Sequence, residues 1–209
     1  MKAPLTIAFP KGRIAQPLAR FLAGPPLSIA PFSGRKLVVD VEEKGLRFLL
    51  LRDGDIPTYV RRGAAEMGIA GSDVLSETEC DLPRPLDFPF GRCRFSLLKP
   101  ASASRVPDGR AVRVATKYVR LTRDFFEQKG MAADIVPLSG SVEIAPRMKL
   151  ADLVADLVDT GETMRANGLV EVEKICDVSP HLIVSRAALA RRRREVFDLL
   201  EVLEGMLPS

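Results

Sequence analysis

The chain has 209 residues, 46% hydrophobic and 28% charged, and 31 Lys and Arg against 27 Asp and Glu give a formal net charge of +4. That length supports a substantial core, as one large domain or two small lobes, and no collagen, heptad or low-complexity pattern occurs. The mildly basic balance allows equally a groove for phosphate-bearing small molecules and a weak nucleic-acid surface.

Residues 5–9 read as a buried first strand, stopped by Pro10 and Gly12. The apolar run before Pro10 and Lys11 is far too short for a signal peptide or a membrane span. Residues 14–22 follow as a helix that tolerates Pro17 only in its first turn. Strands are expected over 36–41 and 47–52. Asp53, Gly54 and Asp55 then turn the chain into a helix that Asp55 is placed to cap and Pro57 to open, running to about Ala65. A strand over 67–70 ends at Gly71, Ser72 and Asp73. Short apolar strands alternating with helices imply a mostly parallel sheet covered on both faces. Open sheets of that kind hold ligands at the carboxyl ends of their strands, where Lys11, Arg13, Arg52 and Asp73 all stand.

Pro100, Pro107 and several Ser and Ala residues mark a crossing between lobes around 99–109. Beyond it, 111–115 is a strand, Thr116 or Lys117 opens a helix through Phe126, and 134–138 is the next strand. Helices and turns are expected over 140–168. Strands over 170–175 and 182–185 carry the chain back, so the lobes are expected at 1–98 completed by 175–209, and at 99–174. Near the C-terminus, Val196, Leu199, Leu200 and Leu203 share one side of an amphipathic helix, a stripe for its own core or for another subunit. Arg191 to Arg194 read as a solvated face or a subunit contact, because no aromatic residues interleave with them.

Leu150, Leu153, Val154, Leu157 and Val158 have the spacing of a buried helix stripe, with Asp152 and Asp156 together on another face. Thr160 then reads as the cap of a short second helix that Asn167 and Gly168 end. Gly161 would let the backbone approach a ligand, and the amides of Gly161, Glu162 and Thr163 with the two threonine hydroxyls suit a phosphate. The same residues also suit a helix cap and nothing more. Lys11, Gly12 and Arg13 combine a flexible turn with two cations, and Arg35, Lys36 and Arg52 add more; such groups serve a pyrophosphate leaving group or a solvated surface. His181, beside Pro180, reads as structural. Cys80, Cys93 and Cys176 lack metal-ligand spacing, which suits a reducing cytosol. Neither an ATPase-type phosphate loop nor a nucleophile elbow is present.

Several ordered segments resemble the short form of ATP phosphoribosyltransferase, the first enzyme of histidine biosynthesis. They are Pro10 to Arg13, Arg52 with residues 55–60, Gly71 to Asp73, Ala115 to Tyr118, Leu121 to Arg123, Gly140 to Pro146 and, most fully, residues 156–169 with Thr160, Gly161, Glu162, Thr163 and Met164. The resemblance implies an α/β, two-lobed fold like the type II periplasmic binding proteins, with a central cleft. It implies transfer of the 5-phosphoribosyl group of phosphoribosyl pyrophosphate to N1 of ATP. Residues 160–163 would hold the 5-phosphate, Asp156 and Glu143 the ribose, Lys11, Arg35 and Arg52 the pyrophosphate, and Arg13 and Asp73 would lie near ATP. Mg2+ would travel with the pyrophosphate substrate rather than in a protein cage. A catalytic homodimer would assemble with a regulatory subunit related to histidyl-tRNA synthetase into a hetero-octamer, in the cytoplasm, without nucleic acid or membrane. A non-catalytic small-anion binding module, and a phosphoribosyltransferase with another acceptor, are the rival readings. Lys149, where the family usually has Gly, Ser72, Ser185 and the Asp53-Gly54 pair depart from its pattern.

Overall fold

The computed structural model describes residues 3–30, 32, 36–104 and 111–208. The chain divides into two compact units, Met1–Gly91 with Ser179–Ser209, and Arg92–Val178. In chain order, unit 1 contributes β1 (Leu5–Pro10), α1 (Ala15–Leu22), β2 (Val38–Val41), β3 (Leu46–Leu51), α2 (Ile56–Arg61), β4 (Met67–Gly71), α3 (Ser72–Glu77) and β5 (Leu86–Asp87). Unit 2 follows with β6 (Cys93–Pro100), β7 (Val112–Thr116), α4 (Val119–Gln128), β8 (Ala133–Pro137), β9 (Leu153–Val158), α5 (Glu162–Ala166) and β10 (Leu169–Val178). The chain then returns to unit 1 through β11 (Pro180–Val184), α6 (Arg186–Arg191) and α7 (Arg193–Gly205).

Unit 1 is a six-stranded sheet in the order β2-β3-β1-β4-β11-β5. β1 lies parallel to both β3 and β4, and β2 and β11 run antiparallel to their neighbours. Alternation along β1 sends Leu5, Ile7 and Phe9 into one core and Ala8 into another. Leu18 and Leu22 of α1 cover the first core, together with Val196, Leu199, Leu200 and Leu203 of α7. The C-terminal stripe therefore serves its own core. Ile56 and Val60 of α2 and Val74 and Leu75 of α3 cover the second. Arg192 is not part of a solvated arginine face: its guanidinium donates to the carbonyls of Ala3 and Pro4 and to Glu66 and Glu195.

Two local expectations fail here for backbone reasons. Asp55 makes no side-chain cap bond, since residues 53–55 already form a 3-10 turn and its backbone is helical rather than extended. α2 ends at Arg61 rather than near Ala65, because Gly63 takes a left-handed φ of 74° that stops it.

Unit 2 is a five-stranded sheet in the order β10-β6-β9-β7-β8. β7 runs parallel to β8 and β9, while β6 is antiparallel to β9 and β10. β6 starts at Cys93, ahead of the Pro- and Ser-rich stretch, and β10 holds its pairing through Val178. The units therefore divide at 91/92 and 178/179 rather than at 98/99 and 174/175.

The larger correction concerns residues 150–158, which form strand β9 with a preceding bend rather than a helix. Leu153, Ala155 and Leu157 face one core, and Val154 and Val158 the other. A central strand covered on both faces reads as a near-continuous apolar run, and this one, interrupted at Asp156, also satisfies helical spacing. Leu150, which a helix stripe would bury, is 46% exposed. Among the described residues no helix is long and apolar enough to cross a membrane.

Candidate active site

β3, β1 and β4 are adjacent and parallel, so their carboxyl ends open on one edge of unit 1. The Lys11 amide donates to Leu51 O at 2.9 Å, which carries the β1–β3 ladder one residue further and sets Lys11 beside Arg52. The Gly12 amide donates to Asp53 Oδ1 at 3.1 Å, and a Cβ on Gly12 would stand 2.3 Å from Asp53 Oδ2. Asp53 thus ties the turn after β1 to the turn after β3, a role that sequence reasoning missed. Its position directly after Arg52 was the available signal.

Lys11 and Arg52 are exposed, whereas Asp73, after β4, is buried. A Cβ on Gly71 would lie 2.1 Å from Asp73 Oδ1, so the carboxylate folds against the glycine backbone. Arg13 points partly inward: one terminal nitrogen donates to Gly91 O at 2.6 Å, and its Nε is enclosed without a hydrogen-bond partner. Arg35 falls outside the described residues.

In unit 2, β9, β7 and β8 are likewise adjacent and parallel, which gathers the turns that follow them. Gly161, at φ 76°, stands before α5, and the Thr160 hydroxyl accepts from the Glu162 amide at 3.3 Å. Thr160 therefore lies one place ahead of the cap position expected for it, yet its hydroxyl still serves the first turn. Glu162 and Thr163 are exposed. Arg165, also unforeseen, bends back to donate to Thr160 O at 3.1 Å, and a Cβ on Gly161 would meet its guanidinium at 2.8 Å. The left-handed φ and the close guanidinium both call for glycine here.

Strand alternation points Asp156 to the face that carries Val154 and Val158, and the core on that face includes Val142, next to Glu143. Asp156 and Glu143 thus belong to one side of the sheet. Asp152 belongs elsewhere. Its carboxylate takes a two-pronged contact from Arg113, with Oδ1 at 3.0 Å and Oδ2 at 3.3 Å, at the opposite end of β9.

Two side-chain networks support this edge. Arg94 on β6 donates twice to Glu171 on β10, at 2.7 Å each, and once to Asp159 O at 3.2 Å, just ahead of Thr160. The Arg94 guanidinium, helped by the Ser96 hydroxyl and opposed by partial burial, holds the Glu171 carboxyl below its ordinary range. At the end of β7, the buried Thr116 hydroxyl donates to Ala155 O and accepts from the Tyr118 amide, fixing the backbone around exposed Lys117. Among the described residues no three His, Cys, Asp or Glu side chains gather where they could hold a metal ion. A pocket of about 370 Å³ lined by Leu5, Leu46, Arg192 and Leu199 involves the amino ends of β1 and β3, away from the polar edge.

Residues 52–205 match the family model described as HisG: ATP phosphoribosyltransferase. The chain belongs to the ATP phosphoribosyltransferase family. An ATP phosphoribosyltransferase of Anaeromyxobacter sp. (strain K) is 46% identical, over 98% of this chain and 94% of its own. A chain in the solved ATP phosphoribosyl transferase (HisG:HisZ) complex from Thermotoga maritima is 31% identical with a TM-score of 0.83, covering 97% of this chain and 98% of that one. The Candida albicans CA3427 gene product, whose structure is described as the generic periplasmic binding protein fold, superposes at a TM-score of 0.64 with 9% identity, over 97% of this chain and 70% of its own. That last likeness concerns the fold alone, a two-lobed α/β fold of the periplasmic-binding-protein kind.

The enzyme is a short-form catalytic subunit. It transfers the phosphoribosyl group of phosphoribosyl pyrophosphate to N1 of ATP, the first step of histidine biosynthesis.

Proposed function

We propose that the two units divide phosphoribosyl pyrophosphate by its ends. Lys11 and Arg52 of unit 1, with Arg35, take the pyrophosphate, while residues 160–163 of unit 2 take the 5-phosphate. Asp156 and Glu143 accept from the ribose hydroxyls, and Arg13 and Asp73 serve ATP. The observation that carries this reading is the adjacency of Lys11 and Arg52, set side by side by one backbone bond from Lys11 N to Leu51 O.

The chemistry needs no general base at the outset. Adenine N1 carries an available lone pair at neutral pH and attacks C1 of the ribose as the bond from C1 to the pyrophosphate oxygen breaks. Pyrophosphate leaves with that electron pair, and the adenine later gives up a proton from its exocyclic nitrogen. The protein's part is alignment of N1 with C1 and stabilisation of charge growing on the leaving oxygen. Lys11 is a compact charge for that oxygen, and Arg52 can span two oxygens at once. Magnesium enters with the pyrophosphate as part of the substrate and neutralises some of its charge.

The same reading extends to assembly. A catalytic homodimer joins a regulatory subunit related to histidyl-tRNA synthetase in a hetero-octamer, in the cytoplasm. Support comes from likeness over nearly full length to the Thermotoga maritima chain, whose solved structure is a HisG:HisZ complex. The deciding experiment incubates the enzyme with ATP, phosphoribosyl pyrophosphate and magnesium, with and without such a partner. Chromatography should detect N1-(5-phosphoribosyl)-ATP, and light scattering should detect the larger complex. Turnover of a free nucleobase in place of ATP, or no complex, would overturn the corresponding part.

A further inference from the structure

Outside the residues assigned above, three side chains of unit 1 form a continuous hydrogen-bonded relay. His181 on β11 stands opposite Asp87 on β5 in the ladder, and its Nδ1 contacts the Asp87 carboxylate. Its Nε2 lies 3.1 Å from the Ser179 hydroxyl. A carboxylate only accepts, so Nδ1 carries a proton toward Asp87, which leaves Nε2 to pair with the Ser179 hydroxyl. Ser179 is bonded in turn to Ser72 in both directions. The Ser72 amide donates to Ser179 O at 2.8 Å, and the Ser179 amide donates to the Ser72 hydroxyl at 3.2 Å. This pair prolongs the β4–β11 ladder past its last register partners, Gly71 and Pro180. Ser72 immediately precedes Asp73, whose buried carboxylate is folded over Gly71.

The sequence reading of His181 as structural rather than catalytic fits these contacts: the ring is largely covered, at 14% side-chain exposure, and both nitrogens are engaged. The far end of the chain of bonds is the turn that carries Asp73. We propose that His181, oriented by Asp87, is a positioning residue for the turn of residues 71–73, and that it sets through Ser179 and Ser72 how tightly ATP is held. This rests on the reading that Asp73 serves ATP. The relay's hydrogen bonds include neither Lys11 nor Arg52, so its influence falls on one substrate. A small displacement at the turn suffices, since a hydrogen bond to the ligand weakens steeply once its distance and angle leave the preferred range.

The test is steady-state kinetics with each substrate varied in turn, on the enzyme with its regulatory partner if activity requires it. His181→Ala and Ser179→Ala should each raise KM for ATP about 3- to 10-fold while kcat and KM for phosphoribosyl pyrophosphate stay within about 2-fold. His181→Gln, which keeps a hydrogen-bonding group near the position of Nε2, should recover part of the ATP affinity. Equal rises in both KM values, or an unchanged KM for ATP, would overturn the relay. If His181→Ala fails to fold, Ser179→Ala decides alone, because it leaves the backbone bond to Ser72 in place. Asp73→Asn separates the two levels. If it raises KM for ATP and the relay variants do not, the relay alone falls; if it does not, the ATP reading falls and takes the relay with it.

Discussion

Unit 1 and unit 2 present the same architectural feature, three adjacent parallel strands with polar turns at their carboxyl ends, yet they hold those turns by different means. In unit 1 the charged groups follow directly after the strands, and backbone amides of the turns tie them down: Lys11 N on Leu51 O, Gly12 N on the Asp53 carboxylate, Ser72 N on Ser179 O. In unit 2 side chains do the holding. Arg94 reaches across to Glu171 and Asp159, Thr116 grips Ala155, and Arg165 folds over Gly161. The contrast suits the proposed roles. Exposed cations set close together by backbone are suited to a leaving group whose charge grows during reaction, whereas a turn braced by side chains is suited to a phosphate that stays unchanged throughout.

The largest expected effect tests the first half of that contrast. Arg52→Ala should lower the single-turnover rate about 100- to 1,000-fold, the usual loss when one donor to a developing oxyanion is removed, with ATP affinity within about 3-fold. Equal losses in rate and ATP affinity would place Arg52 on the wrong substrate. The second half is tested by Thr160→Ala combined with Thr163→Ala. This pair should raise KM for phosphoribosyl pyrophosphate about 10- to 100-fold and depress kcat less, since two hydroxyl donors to a charged group are worth about 1.5–3 kcal/mol each before compensation by the remaining amides. Unchanged kinetics would remove the turn from phosphate binding.

A subtler effect separates the bracing of unit 2 from that of unit 1. Glu171 has its folded-state pKa lowered from 4.5 chiefly by the Arg94 hydrogen bond. Its contribution is therefore complete above the unfolded value and is lost as pH falls through the folded one. Glu171→Gln should be less stable than the parent at neutral pH and lose less stability on acidification below about pH 4.5. Parallel acid-unfolding curves would deny that linkage. The smallest effect concerns Lys149, which sits at φ 57° in the left-handed region. Lys149→Gly should raise stability by about 0.5–1 kcal/mol in a denaturant titration, because relief of side-chain strain exceeds the added freedom of the unfolded chain. A loss of stability would mean that the lysine side chain compensates for its own backbone.

The same contrast explains what the sequence could reveal. Lys11, Arg52 and Asp73 were legible because each follows a short apolar strand closed by a turn residue, and parallel neighbours then share an edge. β9 was not. Its run from Leu153 to Val158 carries apolar residues on both faces, with Asp156 on one of them, and periodicity cannot separate a strand buried on both sides from a helix when only six residues are involved. β6 was hidden by the Pro- and Ser-rich stretch that follows it, and with it the boundary of unit 2. Long-range ties such as Asp53 to Gly12, Arg94 to Glu171 and His181 to Asp87 join residues 41, 77 and 94 positions apart. No local pattern announces contacts at such separations. The family resemblance supplied the reaction, which periodicity alone did not reach.

One calorimetric comparison bears most directly on the division of the substrate. Ribose 5-phosphate and inorganic pyrophosphate, each with magnesium, are titrated separately into the parent enzyme, into Lys11→Ala combined with Arg52→Ala, and into Thr160→Ala combined with Thr163→Ala. A crossed pattern is predicted, in which the first variant loses pyrophosphate and keeps ribose 5-phosphate, and the second does the reverse. Loss of the same ligand by both variants would contradict the assignment of one end of the substrate to each unit.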